Sequence, residues 1–219
     1  DRKMAFSVPT GNFGDVFAGH VAAQMGLPIE RLIVATNVND ILHRALSAGD
    51  YSAGEVTPTA APSMDIQVSS NFERLLFDVG GRDGIALAEQ MRGFEASKAM
   101  QLTNAQRDGA AALFTSMRAD EDDMARAMRW ACEDCAEIVD PHTAIGLHAA
   151  RAVELPHDVP VVTLATAHPA KFPDAVERST GTRPSLPARV GDLFAREEAY
   201  TELPGTYEAV RDHILGHAA

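Results

Sequence analysis

The chain has 219 residues, of which 46% are hydrophobic and 23% charged, so it can bury a core and is not disordered throughout. Its 19 lysines and arginines against 31 aspartates and glutamates give a net charge of -12, which disfavours nucleic acid and anionic membranes as partners. We expect neither a membrane span nor a signal peptide, and the two cysteines suit a reducing cytoplasm.

The first elements predict a βαβ unit. Residues 4–8 read as a short buried strand, and residues 9–15 as a turn. Apolar side chains then recur at helical spacing over residues 16–25. Residues 32–35 are apolar with β-branched side chains in the centre, which indicates a strand buried on both faces. The two strands should therefore be parallel, with a right-handed crossover.

The middle of the chain is predicted to be helical apart from one long loop. Asn39 is the expected N-cap of a helix over residues 41–46. Residues 49–64 are rich in small and polar residues and predict the loop. Helices are expected over residues 72–79 and, with interruptions, over residues 84–134.

The last third of the chain predicts one more helix, one strand and short terminal helices. Asp140 and Pro141 form a typical helix start, with the aspartate as cap. Residues 159–165 predict the last strand, and residues 193–199 and 207–215 predict short helices. The chain opens almost directly in a strand, so we expect it to be a piece of a longer polypeptide whose incomplete sheet is prone to associate.

The most informative segment is Gly11-Asn12-Phe13-Gly14-Asp15, between the first strand and the first helix. The first N–H groups of a helix lack intrahelical partners, and this position commonly binds phosphate in α/β folds. The segment is neither a P-loop nor a dinucleotide fingerprint, since no Gly-Lys-Ser/Thr follows it and the pattern G-x-G-x-x-G is absent. A turn that uses glycine for steric reasons alone is the competing interpretation.

Five motifs in order resemble threonine synthase, of the longer bacterial and fungal type and in its C-terminal half only. They are Val8-Pro9-Thr10-Gly11-Asn12-Phe13-Gly14-Asp15, residues 32–40 (LIVATNVND), residues 63–66 with 69–74 (SMDI and SSNFER), residues 140–146 (DPHTAIG) and residues 165–172 (ATAHPAKF).

The resemblance implies a three-layer αβα fold of the tryptophan-synthase-β-like type (fold type II), as an incomplete large domain with C-terminal helices, over residues 1–219. It also implies a pyridoxal 5'-phosphate enzyme that converts O-phospho-L-homoserine and water to L-threonine and phosphate. Gly11, Asn12, Phe13, Gly14 and Asp15 would hold the cofactor phosphate. Thr166 would place its hydroxyl at the pyridine nitrogen, unless it only caps the end of its strand.

The chain departs from the family at the lysine that forms a Schiff base with the cofactor, which lies in an N-terminal Phe-Lys-Asp motif. Lys3, Lys98 and Lys171 are the lysines here, and none is in such a motif. We therefore expect no catalytic residue in this chain, and no threonine formation by the chain alone. Lys171 and His168 are candidates for substrate binding, although a structural role for His168 is the stronger alternative.

Other polar residues favour structural interpretations. Cys132 and Cys135 form a lone C-x-x-C without the second pair that a structural zinc site needs, so no metal site is predicted. His142 and His148 are six positions apart and do not share a helix face, and His142 is expected to serve a helix start, packing or a hydrogen bond. Asn37, Asn39 and Asp40 could line a cleft or cap the next helix. Arg74 could meet a phosphate, but a position on a helix surface is expected.

Two rival functions remain open at this stage. One is another enzyme of the same fold, such as a serine/threonine dehydratase, which the motifs around His142 and His168 disfavour. The other is a non-catalytic module that binds phosphate or a partner. An upstream Phe-Lys-Asp motif in the same reading frame would favour the enzyme over the module.

Overall fold

The computed structural model describes residues 2–217, so the two ends of the predicted domain, 1–219, lie outside the described residues. The chain divides into two compact units between Pro184 and Ser185. The first unit holds the sheet and most of the helices, and the second holds short turns and one helix.

The first unit is built on a four-stranded parallel sheet with the order β3-β2-β1-β4. Its strands are β1 (Met4–Pro9), β2 (Ile29–Thr36), β3 (Phe114–Arg118) and β4 (Val161–Thr163). Central strand β1 pairs with β2 on one side and with β4 on the other. Because all four strands run the same way, the segments that follow them emerge at one edge of the sheet.

The helices follow the strands in chain order. They are α1 (Gly14–Gln24), α2 (Ile41–Ala48), α3 (Phe72–Val79), α4 (Gly84–Ser97), α5 (Asn104–Ala111), α6 (Glu121–Cys135), α7 (Pro141–Ala152), α8 (Pro173–Thr180) and α9 (Tyr207–His217). Short 3₁₀ turns lie at Pro62–Met64, Pro169–Lys171, Ala188–Val190 and Leu193–Ala195. Within residues 2–217, no helix is both long and apolar enough to cross a membrane.

Strand β2 shows why the fold has three layers. Its Leu32 and Val34 belong to a core that also contains residues of α1 to α5. The alternate residues Ile33 and Ala35 belong to a second core, with residues of α6, α7 and α8. Side chains of a strand alternate between its two faces, so the sheet is covered by helices on both sides. The predicted αβα class and βαβ unit are confirmed.

Two predictions about elements are wrong, and one strand is shorter than predicted. Residues 84–134 are not helical throughout, because they contain β3, and the helix predicted over 193–199 is one 3₁₀ turn. The strand predicted over 159–165 is present, but only Val161–Thr163 is paired. Strand β3 has polar Thr115 and Ser116 at its centre and lies at an edge of the sheet. Strand β3 is held in the sheet by its hydrogen bonds to β2. A strand of this kind cannot be predicted from the apolar pattern of its own residues.

The second unit has little core of its own. None of the residues 185–217 is buried, and large apolar side chains such as Phe194 (87% exposed) and Tyr207 (75% exposed) lie at its surface. Such an apolar surface is typical of a segment that packs against further polypeptide.

Candidate functional site

The segment that follows β1 turns sharply at Phe13. Its φ of 65° lies in the left-handed region that non-glycine residues rarely adopt, and Phe13 is the N-cap of α1. The ring is only 1% exposed and contacts the rings of Phe72 and Phe114, with centroid distances of 5.2 and 5.7 Å. The buried ring therefore holds the backbone of the turn in its strained conformation.

The backbone N–H groups of residues 11–16 have no acceptor among the described residues. The N–H of Thr10 still donates to the Ala35 carbonyl at 2.9 Å, and the N–H of Phe17 begins the helical pattern by donating to the Phe13 carbonyl at 3.0 Å. The groups between them lie at the positive end of α1, and residues 9–15 line a pocket of about 210 Å³. Such a set of N–H groups is suited to bind an anion. We call residues 10–15 the anion loop.

The carbonyl groups of the anion loop are held on its other side. The Gly11 carbonyl accepts a hydrogen bond from Ser69 Oγ at 2.8 Å. The Asn12 carbonyl accepts from the N–H of Asn71 at 3.2 Å and from its Nδ2 at 2.8 Å. In a trans peptide the N–H points opposite to the C=O, so the N–H groups of Asn12 and Phe13 point away from this segment. Ser69 and Asn71 therefore orient the donors.

The two glycines of the loop serve different needs. A Cβ on Gly11 would lie 2.6 Å from the Ser63 carbonyl oxygen, which is too close for any side chain. A Cβ on Gly14 would meet nothing closer than Asn71 Nδ2 at 3.8 Å, which is ordinary contact. Gly11 is thus required by the approach of a neighbouring segment, whereas the protein itself does not require glycine at position 14.

A polar network fixes the long loop beside the anion loop. Asp65 accepts hydrogen bonds from Asn37 Nδ2 at 2.7 Å and Asn39 Nδ2 at 3.0 Å. It also accepts from the backbone N–H and the hydroxyl of Thr59, at 2.8 and 2.7 Å. Asn37 and Asn39 therefore hold residues 57–65 against the end of β2. The capping interpretation is wrong for Asn37 and Asn39, because the N-cap of α2 is Asp40, without a side-chain cap.

We predict that the substitution Asp65→Ala lowers the free energy of unfolding by about 2–4 kcal/mol, because several inward-facing donors lose their acceptor. Urea unfolding followed by circular dichroism measures the change. The control is Asp122→Ala at an exposed position in α6, for which about 0.5 kcal/mol or less is expected. Equal effects of the two substitutions would show that the network does not hold the loop.

A second buried network connects α7 to the same loop. Asp140 is completely buried, and its Oδ1 accepts from the His142 N–H at 2.9 Å and from His142 Nδ1 at 2.8 Å, while Oδ2 accepts from the Thr143 hydroxyl. Burial works against the charged form of Asp140, but the hydrogen bonds from His142 and Thr143 lower its pKa below the usual value. His142 Nε2 accepts the Ser63 N–H at 3.2 Å. The predicted structural role of His142 is confirmed.

The segment after β4 emerges beside the anion loop, because β4 pairs with β1. The Leu164 N–H donates to the Ser7 carbonyl at 2.9 Å, and exposed Thr166 follows two residues later. His168 Nδ1 accepts the Ala170 N–H at 3.1 Å and so caps the turn Pro169–Lys171. Lys171 is exposed, with Nζ 5.8 Å from the Phe172 ring centre. The topology thus brings the predicted residues to one edge.

The other lysines lie elsewhere. Lys3 precedes β1, at the opposite end of that strand from the anion loop, and Nζ is 3.0 Å from Glu30 Oε2. The Lys3 amine is therefore not placed to react with a group bound at the anion loop. Lys98 is the C-cap of α4, with a φ of 57°.

The remaining candidates have ordinary surroundings. Cys132 is half-buried and Cys135 exposed, and both thiols are free; the part of the chain from 2 to 217 holds no cluster of metal ligands. His148 Nδ1 lies 3.7 Å from Asp123 Oδ1. Arg74 is exposed on α3, 6.0 Å from the Phe17 ring centre, as predicted for a helix surface.

The residues that position the anion loop were not identified from the sequence. Ser63, Asp65, Ser69 and Asn71 all lie in one of the five motifs, but none of them was assigned a role at this loop. Their position within a motif was the one sign in the sequence that they are important. Their contacts depend on the path of a loop without secondary structure, which periodicity does not predict.

Known proteins of one family are similar to this chain. The family described as "Threonine synthase, C-terminal" matches residues 143–214. The threonine synthase of Pseudomonas aeruginosa is 49% identical over 217 residues, which cover 99% of this chain and 46% of that protein.

Solved structures agree with the sequence comparison. The crystal structure of PLP-bound threonine synthase from Brucella melitensis superposes with a TM-score of 0.91 at 46% identity, over 99% of this chain and 47% of that chain. Threonine synthase from yeast gives a TM-score of 0.84 at 33% identity, over 97% and 47%. The chain spans about half the length of these relatives. It is therefore a homologue of the C-terminal half of threonine synthases, the family that its five motifs resemble.

Proposed function

We propose that this chain is the C-terminal part of the cofactor-binding large domain of a pyridoxal 5'-phosphate enzyme. The enzyme would convert O-phospho-L-homoserine and water to L-threonine and phosphate. The homology over nearly the whole chain supports this proposal, and the solved relative from Brucella melitensis is PLP-bound. A cytoplasmic location is part of the proposal, since two free cysteines suit a reducing compartment.

The observation that carries the proposal is the row of N–H groups without acceptors in residues 11–16. A cofactor phosphate needs several such donors and little side-chain bulk around them. Gly14 leaves this space, since no protein atom other than Asn71 Nδ2 would contact its Cβ. The residues present therefore fit the phosphate of the cofactor.

Each candidate residue has a defined task in the proposed enzyme. Gly11 to Asp15 bind the phosphate through their backbone, and the Thr166 hydroxyl donates to the pyridine nitrogen and so orients the ring. Lys171 and His168, on the next turn, bind the phosphorylated substrate. When bound, the cofactor supplies an electron-withdrawing ring that stabilises negative charge on substrate carbon. A hydroxyl beside the nitrogen leaves the ring neutral, whereas an aspartate would keep it protonated.

The rest of the site must come from another polypeptide segment. The pocket of about 210 Å³ is below the roughly 300–1,000 Å³ of complete small-molecule sites. Lys3 lies at the opposite end of β1 from the anion loop, and none of Lys3, Lys98 and Lys171 is in a Phe-Lys-Asp motif. The N-terminal half of the relatives is the segment that this chain does not cover.

A chimeric protein tests the proposal. The N-terminal half of the Pseudomonas aeruginosa relative is joined to this chain, and phosphate release and threonine formation from O-phospho-L-homoserine are measured with pyridoxal phosphate present. We expect both products in equal amounts. A folded chimera that binds the cofactor yet forms 2-oxobutanoate, or neither product, would contradict the proposal.

We predict that the 219-residue chain by itself releases no phosphate from O-phospho-L-homoserine, because it lacks the amine that must react with the cofactor. The same phosphate assay, with the chimera as positive control, measures this. Phosphate release above the rate without protein would show that this chain contains the catalytic amine.

A further inference from the structure

We propose that His142 is a positioning residue, which shapes the anion loop by holding the Ser63 backbone against Gly11. The inference rests on the proposed function, because it concerns the same loop. His142 does not line the pocket at residues 9–15, and the sequence analysis gave it only a structural role. One arm of its test needs no ligand, so the two proposals can fail separately.

The first step is the contact between His142 and Ser63. The imidazole is 3% exposed, and its Nε2 accepts the Ser63 N–H at 3.2 Å. That N–H has no other acceptor among the described residues. Ser63 itself is exposed and this hydrogen bond is partly buried, but it is the bond that ties the Ser63 backbone to a rigidly buried ring, so the ring positions the Ser63 peptide.

The second step leads from Ser63 to the loop. The Ser63 carbonyl oxygen is 2.6 Å from the place that a Gly11 Cβ would occupy, so the two backbones are in close contact. The Gly11 carbonyl is held by Ser69 Oγ on the same side. A displacement of Ser63 would therefore move the Gly11 peptide and with it the N–H of Asn12.

The third step is the orientation of the ring itself. Asp140 Oδ1 lies 2.8 Å from Nδ1, and since Nε2 accepts from Ser63, the proton of the neutral ring is on Nδ1. The imidazole also packs against the Phe172 ring, with 4.8 Å between centroids. Phe172 directly follows Lys171, so His142 contacts both the Ser63 backbone and the segment that carries Lys171.

A histidine that is hydrogen-bonded to an aspartate often acts as a general base in enzymes. The geometry of His142 excludes that role. A base must offer a free nitrogen to the proton it removes. Here Nδ1 faces the carboxylate and Nε2 is occupied by a backbone N–H. His142 therefore acts on the site through Ser63 and Phe172.

Two substitutions of His142 distinguish the role of Nε2 from that of Nδ1. In His142→Gln the amide can reach Ser63 and accept its N–H, whereas in His142→Asn the shorter amide reaches Asp140 only. Titration of the chimera and of the 219-residue chain with pyridoxal phosphate, followed by ³¹P NMR, measures the dissociation constant. We expect an increase of about tenfold for Asn and about threefold or less for Gln. An Asn variant that binds like the wild type would overturn the proposal.

The matched control is His20→Asn. His20 is also buried and also contacts a carboxylate, since its Nε2 is 3.2 Å from Asp78 Oδ2, but it does not contact Ser63. This variant should lower the urea midpoint and leave the dissociation constant unchanged. An equal loss of affinity in His20→Asn and His142→Asn would mean that general destabilisation explains both, and would also overturn the proposal.

The arm without ligand is a double-mutant cycle on unfolding. Gly11→Ala places a methyl group against the Ser63 carbonyl, and this clash should be milder once His142→Asn releases Ser63. We expect the shift of the urea midpoint caused by Gly11→Ala to be clearly smaller in the His142→Asn background. Additive shifts would overturn the positioning role. If the two substitutions shift the urea midpoint non-additively but neither the chain nor the chimera binds pyridoxal phosphate, the positioning role of His142 is supported. The proposed function is then contradicted.

Discussion

Replacing Asp140 with alanine should lower the free energy of unfolding at neutral pH by about 3–5 kcal/mol, because three buried donors lose a charged acceptor and each buried group left without a partner costs about 1–3 kcal/mol. Asp140 is fully buried and accepts hydrogen bonds from the backbone and ring of His142 and from the Thr143 hydroxyl. Its removal leaves these donors without an acceptor and uncaps α7 at the same time. Urea unfolding at pH 7 measures the loss.

The control for this prediction is Asp120→Ala. Asp120 is also an N-cap, at α6, and accepts the Asp123 N–H at 2.8 Å, but it is exposed. Its loss should cost about 1 kcal/mol, as for ordinary caps. Similar losses for the two aspartates would show that burial and the contact with His142 add nothing to a cap.

The same carboxylate predicts the acid dependence of stability. Because its pKa is lower in the folded chain than in the unfolded one, Asp140 contributes its stability above the unfolded value of about 3.9. That contribution is lost as pH falls through the lower folded pKa. The difference in unfolding free energy between wild type and Asp140→Ala should therefore shrink as pH decreases from 4. A difference that stays constant down to pH 2 would contradict the assignment.

The substitution Phe13→Ala should cost about 3–5 kcal/mol of unfolding free energy, as for other buried phenylalanines. The ring is 1% exposed and packs between Phe72 and Phe114. Since this ring anchors the anion loop, affinity for pyridoxal phosphate should fall as well. Urea unfolding and the ³¹P titration measure the two effects.

Two further variants test the backbone argument. Phe13→Gly loses the same ring but tolerates a φ of 65° without strain, so it should be less destabilised than Phe13→Ala. Phe194→Ala, at a side chain that is 87% exposed, should have little effect. If the Gly variant is clearly the less stable of the two, the left-handed turn is not a source of strain.

The sequence was sufficient for the centre of the fold. Residues 4–8 and 32–35 are short, largely apolar runs that are typical of strands covered on both faces, and a helical pattern of the expected length lies between them. The cap at Asp140 was also predictable, because an aspartate followed by a proline is typical of the start of a helix. These features are determined by residues close together in the chain, and so they can be predicted from the local sequence.

The parts that could not be predicted depend on distant contacts. Strand β3 forms because Phe114 and its neighbours pair with β2, some eighty positions earlier in the sequence. Asn39 was expected to cap α2, yet it donates to Asp65 and accepts the Thr57 N–H at 2.8 Å. A side chain with several possible partners takes the one that the tertiary structure offers, and residue type alone does not select it.

The pairing of β1 with β4 has a consequence for how the chain folds during synthesis. Ala5 of the central strand pairs with Arg31, which the ribosome supplies soon afterwards, but also with Val161, which emerges only after most of the chain. Until then one side of β1 remains open, and such long-range strand pairing forms slowly. We expect nascent chains stopped before residue 161 to bind chaperones more strongly than those released after it.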